Sequence, residues 1–376
     1  MIRIILLLFT VISLIVNQAV NCYAISDPKV VANNRFGIHI LFPEELEMSA
    51  KLVNTSGGDW GYVTIPISSR DKDLQKWQKF MDDTKRFHLI PIIRLATYPV
   101  SDYWMKPTIF DPLDWANFLD SLEWPTKNRY IVVYNEPNRA QEWENDLNPE
   151  EYAKQLSWTI EALKNVNPDF FILNGGFDAA ATTNHILMDE FQYLYRMNNA
   201  VPGIFQKIDG WSSHSYPNPN FSGLPTDTHR TSIIGFRREM EFLKNNFGVG
   251  EIPVFITETG WQHETLPENL VSDRYQTAFT QMWVDKNLIA ITPFLLTAGD
   301  GPFKKFSFTN ERGEPKEVYK KITQIPKIAG NPEKQVESSS DSSSVPSFKN
   351  EPESQAQKPS PSFPFWKDIA KWFLHF

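Results

Sequence analysis

Two segments of this chain run apolar and then stop on a glutamate. One is Tyr130-Ile-Val-Val-Tyr-Asn-Glu-Pro-Asn138, which carries Glu136; the other is Ile252-Pro-Val-Phe-Ile-Thr-Glu-Thr-Gly-Trp261, which carries Glu258. Breaking a glycosidic bond asks for two such groups. The leaving oxygen is poor and must take a proton as the bond breaks, so one carboxyl has to hold its proton near neutral pH. The second has to be ionised, either to attack the anomeric carbon or to activate water. A lone strand-tip glutamate has a plainer reading, as a loop cap or the partner of an arginine. Two on matching strand ends favour the chemistry over both plain readings at once.

Further residues qualify by position. Arg94 interrupts the otherwise apolar Leu89-Ile-Pro-Ile-Ile-Arg-Leu-Ala96. A charge there needs a partner, which is either a catalytic carboxylate or a core ion pair. His39 sits at the tip of the first strand candidate and is expected in a sugar subsite. Flat aromatic faces suit sugar rings, and Trp60, Tyr98, Trp104, Trp143, Trp211 and Trp261 lie near strand ends. Trp143 and Trp261 are the leading candidates, because each closely follows one of the two glutamate motifs.

The elements that must position these groups alternate. Short apolar runs are expected as strands at Arg35–Ile40, Trp60–Ile67, Leu89–Ala96, Arg129–Asn135, Phe170–Gly175, Ile208–Ser213, Val254–Thr257 and Ile291–Leu296. Several are nearly continuous apolar stretches, as strands covered on both faces require. Amphipathic stretches lie between them. The clearest helix is expected from Pro149 to about Val166, with Pro149 in the first turn, Glu150 and Glu151 complementing the N-terminal dipole, and Tyr152, Leu156, Ile160 and Leu163 on one face. A second is expected over Asp273 to Lys286. Eight βα units imply an α/β fold, a (β/α)8 TIM barrel, in one catalytic domain spanning 25–332. Polar residues at the C-terminal tips of parallel strands then face one mouth, which brings Glu136 and Glu258 together.

On these motifs the chain resembles glycoside hydrolase clan A, nearest to families 5 and 39. Tyr134-Asn-Glu-Pro-Asn138 and Ile256-Thr-Glu-Thr-Gly-Trp261 are similar to the clan's strand-four and strand-seven signatures. The resemblance implies a retaining double displacement, with Glu136 as acid/base, Glu258 as nucleophile and Asn135 as a donor to the sugar 2-hydroxyl. His214-Ser-Tyr216 is similar to the clan's strand-six pair. That implies His214 near the carboxylates and Tyr216 donating to Glu258. The substrate class so implied is a β-linked oligo- or polysaccharide, and no cofactor is implied. One departure stands out. Many clan members carry a Trp at the end of strand eight, whereas here the nearest aromatic is Phe294.

Composition narrows the rest. A net charge of −8 is poorly suited to the phosphate backbone of a nucleic acid. No Cys-x-x-Cys, His-Glu-x-x-His, Gly-x-Ser-x-Gly or phosphate-binding glycine loop occurs, so metal, zincin and serine-hydrolase readings have no motif behind them. Arg3 followed by the apolar run Ile4–Val16 reads as an export signal over 1–24, placing the protein outside the cytoplasm; a retained signal anchor and a lipid-modified Cys22 are the alternatives, either of which would tie it to a membrane. Residues 333–362 are rich in Ser, Pro, Lys and Glu and are expected to form a disordered linker. Residues 363–376 form an aromatic amphipathic segment with two open readings, a membrane interface or docking on the barrel. Two rivals share the barrel: a non-catalytic carbohydrate-binding protein, and a transglycosylase that remodels surface polysaccharide.

Overall fold

The computed structural model describes residues 25–299 and 301–334. Residues 1–24, most of the expected linker and the aromatic C-terminal segment lie outside the described residues. Two residues of the expected linker, Glu333 and Lys334, are described. Glu333 receives hydrogen bonds from Lys127 and Ser26, and Lys334 pairs with Thr126, so both close the base of the domain.

Eight parallel strands form the centre: β1 (Gly37–His39), β2 (Gly61–Ser68), β3 (Leu89–Ala96), β4 (Arg129–Val133), β5 (Phe170–Asn174), β6 (Trp211–Ser213), β7 (Val254–Ile256) and β8 (Leu288–Ile291). The first five pair in order, and so do the last three. Parallel bridges at Leu173–Gly210 and Phe36–Ile291 join the two groups at both seams, which closes the barrel. One helix follows each strand: α1 (Leu46–Val53), α2 (Leu74–Arg86), α3 (Asp111–Asp120), α4 (Pro149–Val166), α5 (Glu190–Ala200), α6 (Phe236–Phe247), α7 (Glu268–Thr277) and α8 (Glu317–Gln324). Helix α4 has the expected bounds, with the Asn148 side chain accepting from Glu151 N–H as its cap. Helix α7 starts earlier than expected, directly after Pro267, and passes into a π-helical segment at Ala278–Met282.

Strand alternation sorts the side chains. On β3, Leu89, Ile93 and Leu95 face the helices, while Ile90 and Ile92 enter the barrel. Tyr62, Tyr130, Phe171 and Phe255 join them inside, with neighbouring rings 5.0–6.5 Å apart in tilted and edge-on contacts. Above this aromatic plug lies a hydroxyl layer, in which Thr64 bonds Thr292 and Ser212 bonds Thr257. Arg94, the next inward position of β3, stands above that. Polarity therefore rises along the axis toward the C-terminal mouth.

The last strand corrects the expected Ile291–Leu296. The ladder ends at Ile291, and Thr292–Leu296 continues upward as irregular chain stitched between its neighbours. His39 N–H donates to Pro293 O, Phe294 N–H to Thr259 O and Leu296 N–H to His39 O. Pro293 has no N–H to give a ladder, which is the physical reason the strand stops short.

Candidate active site

The mouth encloses a cavity of about 780 Å³, within the range of small-ligand pockets. Glu136 and Glu258 both line it. A carboxyl oxygen of each and a ring nitrogen of His214 all lie within 4.8 Å of one another. The two strand tips thus bring their carboxyls to one sugar-sized gap.

Each glutamate is held by its own set of contacts. Glu136 follows β4 through a backbone that turns left-handed at Tyr134 (φ 68°) and again at Glu136 (φ 29°). Such values are costly for non-glycine residues and persist only where the surroundings enforce them. Here Glu136 N–H donates to Gly176 O, and Arg139 N–H to Glu136 O. The next residues form a latch: Asn138 is fully buried, donates to Asp178 O and Met188 O, and accepts from Asp178 N–H. At the carboxyl, His214 Nδ1 lies 3.0 Å from Oε1, and Arg139 Nε lies 3.6 Å from Oε2. Arg139 also donates to Asp178 at 2.9 Å.

Glu258 is the more enclosed carboxyl. Arg94 Nη1 pairs with its Oε1 and also donates to Asn135 Oδ1 at 2.7 Å. Tyr216 donates to Oε2 at 3.0 Å, and His214 Nδ1 lies 3.8 Å from the same oxygen. Burial alone would raise this carboxyl. The positive neighbours His214 and Arg94 and the Tyr216 hydroxyl more than reverse that and hold it at about 2. His39 Nε2 is 3.7 Å from Oε1, but burial and Arg94 press its own pKa to about 3. His39 is therefore neutral above that pH, and Arg94 and His214 supply the charge that matters. Burial works against a charged His214 as well, yet the two carboxylates outweigh it and the net direction is up.

Gly176 fixes the imidazole from behind. A Cβ there would lie 2.1 Å from His214 Cδ2 and 2.3 Å from Nε2, so only glycine lets the β5 end pass so close to the ring. The trio Glu136, His214 and Glu258 has the donor types of a cation site. Arg94 and Tyr216 already occupy both Glu258 oxygens, which leaves the set poorly suited to one.

Arg94, Asn135, Glu136, His214, Tyr216 and Glu258 thus come together around one cavity, and of the two readings for Arg94 the carboxylate partner is the one realised. Three expectations need correction. His39 is fully buried, does not line the cavity and packs edge-on to Phe294 at 5.1 Å, so it backs Glu258 rather than forming a subsite. Trp261 is 0% exposed, with its indole N–H on Gly223 O and its rings against Tyr275 and Trp283; it is core and offers no face to a sugar. Trp143 borders the cavity but is only 1% exposed, its N–H donating to Glu151 and its ring enclosed by Tyr134 and Tyr152. Trp60 and Trp211 are buried away from the mouth, and Tyr98 is covered by Arg70. Trp104 remains as a partly exposed indole on the wall.

Apart from Phe294, the following lining residues had no sequence signal. Phe221, Phe294, Phe303 and Phe306 make an apolar wall together with Tyr216. Across from it, Arg139, Glu142 and Asp178 surround Glu136. Phe294, the first aromatic after β8, stands in the apolar wall.

No family model matches the chain, and no curated protein does. Solved structures do. A family 39 glycoside hydrolase from the gut symbiont Bacteroides cellulosilyticus WH2 is similar at 16% identity and TM-score 0.55, over 80% of this chain and 64% of that one. A family 5 subfamily 18 glycoside hydrolase from Streptomyces cattleya, solved with GlcNAc, is similar at 13% identity and TM-score 0.55, over 78% and 80%. An exo-β-1,4-mannosidase from Opitutaceae bacterium strain TAV5 is similar at 15% identity and TM-score 0.52, over 82% and 62%. The chain spans less than two thirds of the first and third of these. At such identities the likeness is one of fold: a TIM barrel of the kind found in clan A glycoside hydrolases.

Proposed function

We propose that this clan A-like barrel is a retaining glycoside hydrolase. The observation that carries the reading is the gap of at most 4.8 Å between oxygens of Glu136 and Glu258. Retaining enzymes hold their carboxyl groups about 5–5.5 Å apart, whereas inverting enzymes leave roughly 6.5–9.5 Å for a water between them. Glu258, ionised down to about pH 2, attacks the anomeric carbon and forms a glycosyl-enzyme. Glu136 protonates the departing oxygen, then takes a proton from the water that releases the sugar. Once Glu136 has given up its proton, the 3.0 Å contact with His214 Nδ1 holds its carboxylate in place to receive a proton from the attacking water. Asn135, pinned by Arg94, is placed to meet a hydroxyl beside the reacting carbon.

The proposal includes a β-linked oligo- or polysaccharide as substrate, export through residues 1–24, and no cofactor. Hydrolysis of aryl glycosides with good and poor leaving groups tests it. Glu258→Ala should abolish turnover of both. Glu136→Gln should slow the poor leaving group by about 100-fold or more and the good one much less, because only the poor one needs the proton. Equal turnover by wild type and Glu136→Gln on the poor leaving group would refute the acid assignment. A folded wild type that binds saccharides and cleaves none would favour the carbohydrate-binding rival.

A further inference from the structure

The proposed acid has an awkward neighbour. Glu136 Oε2 lies 3.6 Å from Arg139 Nε, while its Oε1 lies 3.0 Å from His214 Nδ1. A guanidinium is always charged, and a full positive charge at that range favours the ionised carboxylate. A group that must deliver a proton is ill served by it. The structure holds a carboxylate in place to take up the arginine charge. Arg139 Nη1 donates to Asp178 Oδ2 at 2.9 Å. The other Asp178 oxygen accepts from Ala180 N–H at 2.9 Å. The Asp178 backbone is pinned as well, by both arms of the Asn138 amide and by a bridge to His214. Asp178 arrives from the β5–α5 loop, and both it and Arg139 line the cavity.

We propose that Asp178 is a positioning residue for the proposed glycosidase: it draws the Arg139 guanidinium into an ion pair, and so lets Arg139 orient Glu136 without holding it ionised. Asp178 fixes where Nε points, and Nε faces Oε2 opposite the His214 contact on Oε1. The Glu136 carboxyl is thus aimed from both sides while the pair beside it carries no net charge. The other charged and titratable groups around Glu136 are His214, Glu258 across the gap and Glu142 on the same loop. Arg94 and Tyr216 are committed to Glu258. Burial works against a charged Arg139, but Glu136, Asp178 and Glu142 outweigh it and the net direction is up. Burial and the Glu136 charge raise the Asp178 carboxyl, and Arg139 and the Ala180 N–H pull against them. Each partner of the pair therefore supports the charge of the other.

The inference rests on the glycosidase reading, and two readouts on the full chain separate their failures. The first is carboxyl ¹³C NMR, with Glu136→Gln identifying the Glu136 resonance by its loss. The titration of that resonance should move to lower pH in Asp178→Asn, to higher pH in Arg139→Gln, and back toward wild type in the double variant. A merely structural role would not give opposite signs. A resonance that stays put, or moves the same way in both single variants, overturns the inference whatever the activity. The second readout is kinetic. In Asp178→Asn, kcat/KM for a glycoside with a poor leaving group should fall about tenfold or more, and for a good leaving group much less, because only the first needs the proton. Adding Arg139→Gln should recover most of that loss. Equal losses on both substrates, or a double variant no better than Asp178→Asn, refute the inference. A wild type that cleaves neither substrate would instead refute the glycosidase reading and leave the NMR signs to decide the role of Asp178.

Discussion

Among single side chains, Glu258 has the most heavily built surroundings. Its carboxyl is enclosed, yet Arg94, His214 and Tyr216 converge on its two oxygens and keep it charged. Tyr216→Phe removes the one neutral donor in that set. Hydrogen bonds to charged groups are worth about 1.5–3 kcal/mol, so kcat/KM should fall about 10- to 100-fold, with the Glu258 pKa moving up. A variant within twofold of wild type at every pH would show that the hydroxyl contributes no charge stabilisation. The legible part of the site was the part with a local contradiction in it. An arginine inside Leu89–Ala96 demanded a partner, and glutamates at the ends of apolar runs demanded a task. Glu142 and Asp178 sit in polar loops where carboxylates are ordinary, and only the turn after β4 and the crossing of two loops reveal what they face. Trp261 misled for the opposite reason. Proximity in sequence to Glu258 suggested the cavity, but the chain turns after Gly260 and the indole points into the packing between Tyr275 and Trp283.

At the level of elements, the β4–α4 and β5–α5 loops act as one unit. Asn138, itself fully buried, joins them with three hydrogen bonds. Asn138→Ala should cost about 2–4 kcal/mol, because it strands buried carbonyl and amide groups. It should also lower kcat more than it raises KM, by loosening the backbone that aims Glu136. Chemical denaturation and steady-state kinetics on the same preparation check both effects, and a stable variant with normal kcat would show that the latch does not hold the glutamate. Most strands could be read from sequence because period-2 burial and continuous apolar runs leave few alternatives over five to eight residues. The eighth could not, because Phe294, Leu295 and Leu296 are buried beyond the strand end and prolong its apolar pattern. Pro293 was the signal that marked the true boundary. The helix after β7 was misplaced for a related reason: its first turn carries Glu268 and Asn269, not the apolar periodicity by which a helix start is recognised.

For the molecule as a whole, buried acids couple stability to pH. Burial raises Glu45 and Glu239 to about 7 and Glu142 to about 8, against an ordinary value of 4.5. Between pH 6.5 and 8 the folded chain still holds protons on these groups that the unfolded chain has already lost, so stability falls as pH rises. His214, raised, adds to the same trend, since its stabilisation is full below 6.5 and fades as pH climbs through its folded value. His39 and His263, lowered to about 3 and 4, are neutral in the fold throughout and oppose the trend only near pH 6.5, where the unfolded chain still binds part of their protons. Lys327, lowered to about 8, opposes the trend only above that pH. Tm should therefore drop by a few degrees from pH 6.5 to 8, and the Glu45→Gln, Glu142→Gln, Glu239→Gln triple variant should flatten the drop. A Tm that rises over that interval would contradict these assignments. The same closure of the barrel that buries these acids brings two strand tips, distant in sequence, to one gap, and the width of that gap dictates stereochemistry. The direct measurement is ¹H NMR of the first sugar released from a β-glycoside, read before mutarotation. A β-anomer, retained, is expected from carboxyls this close; an α-anomer, formed by a single inversion, would contradict the double displacement at Glu258.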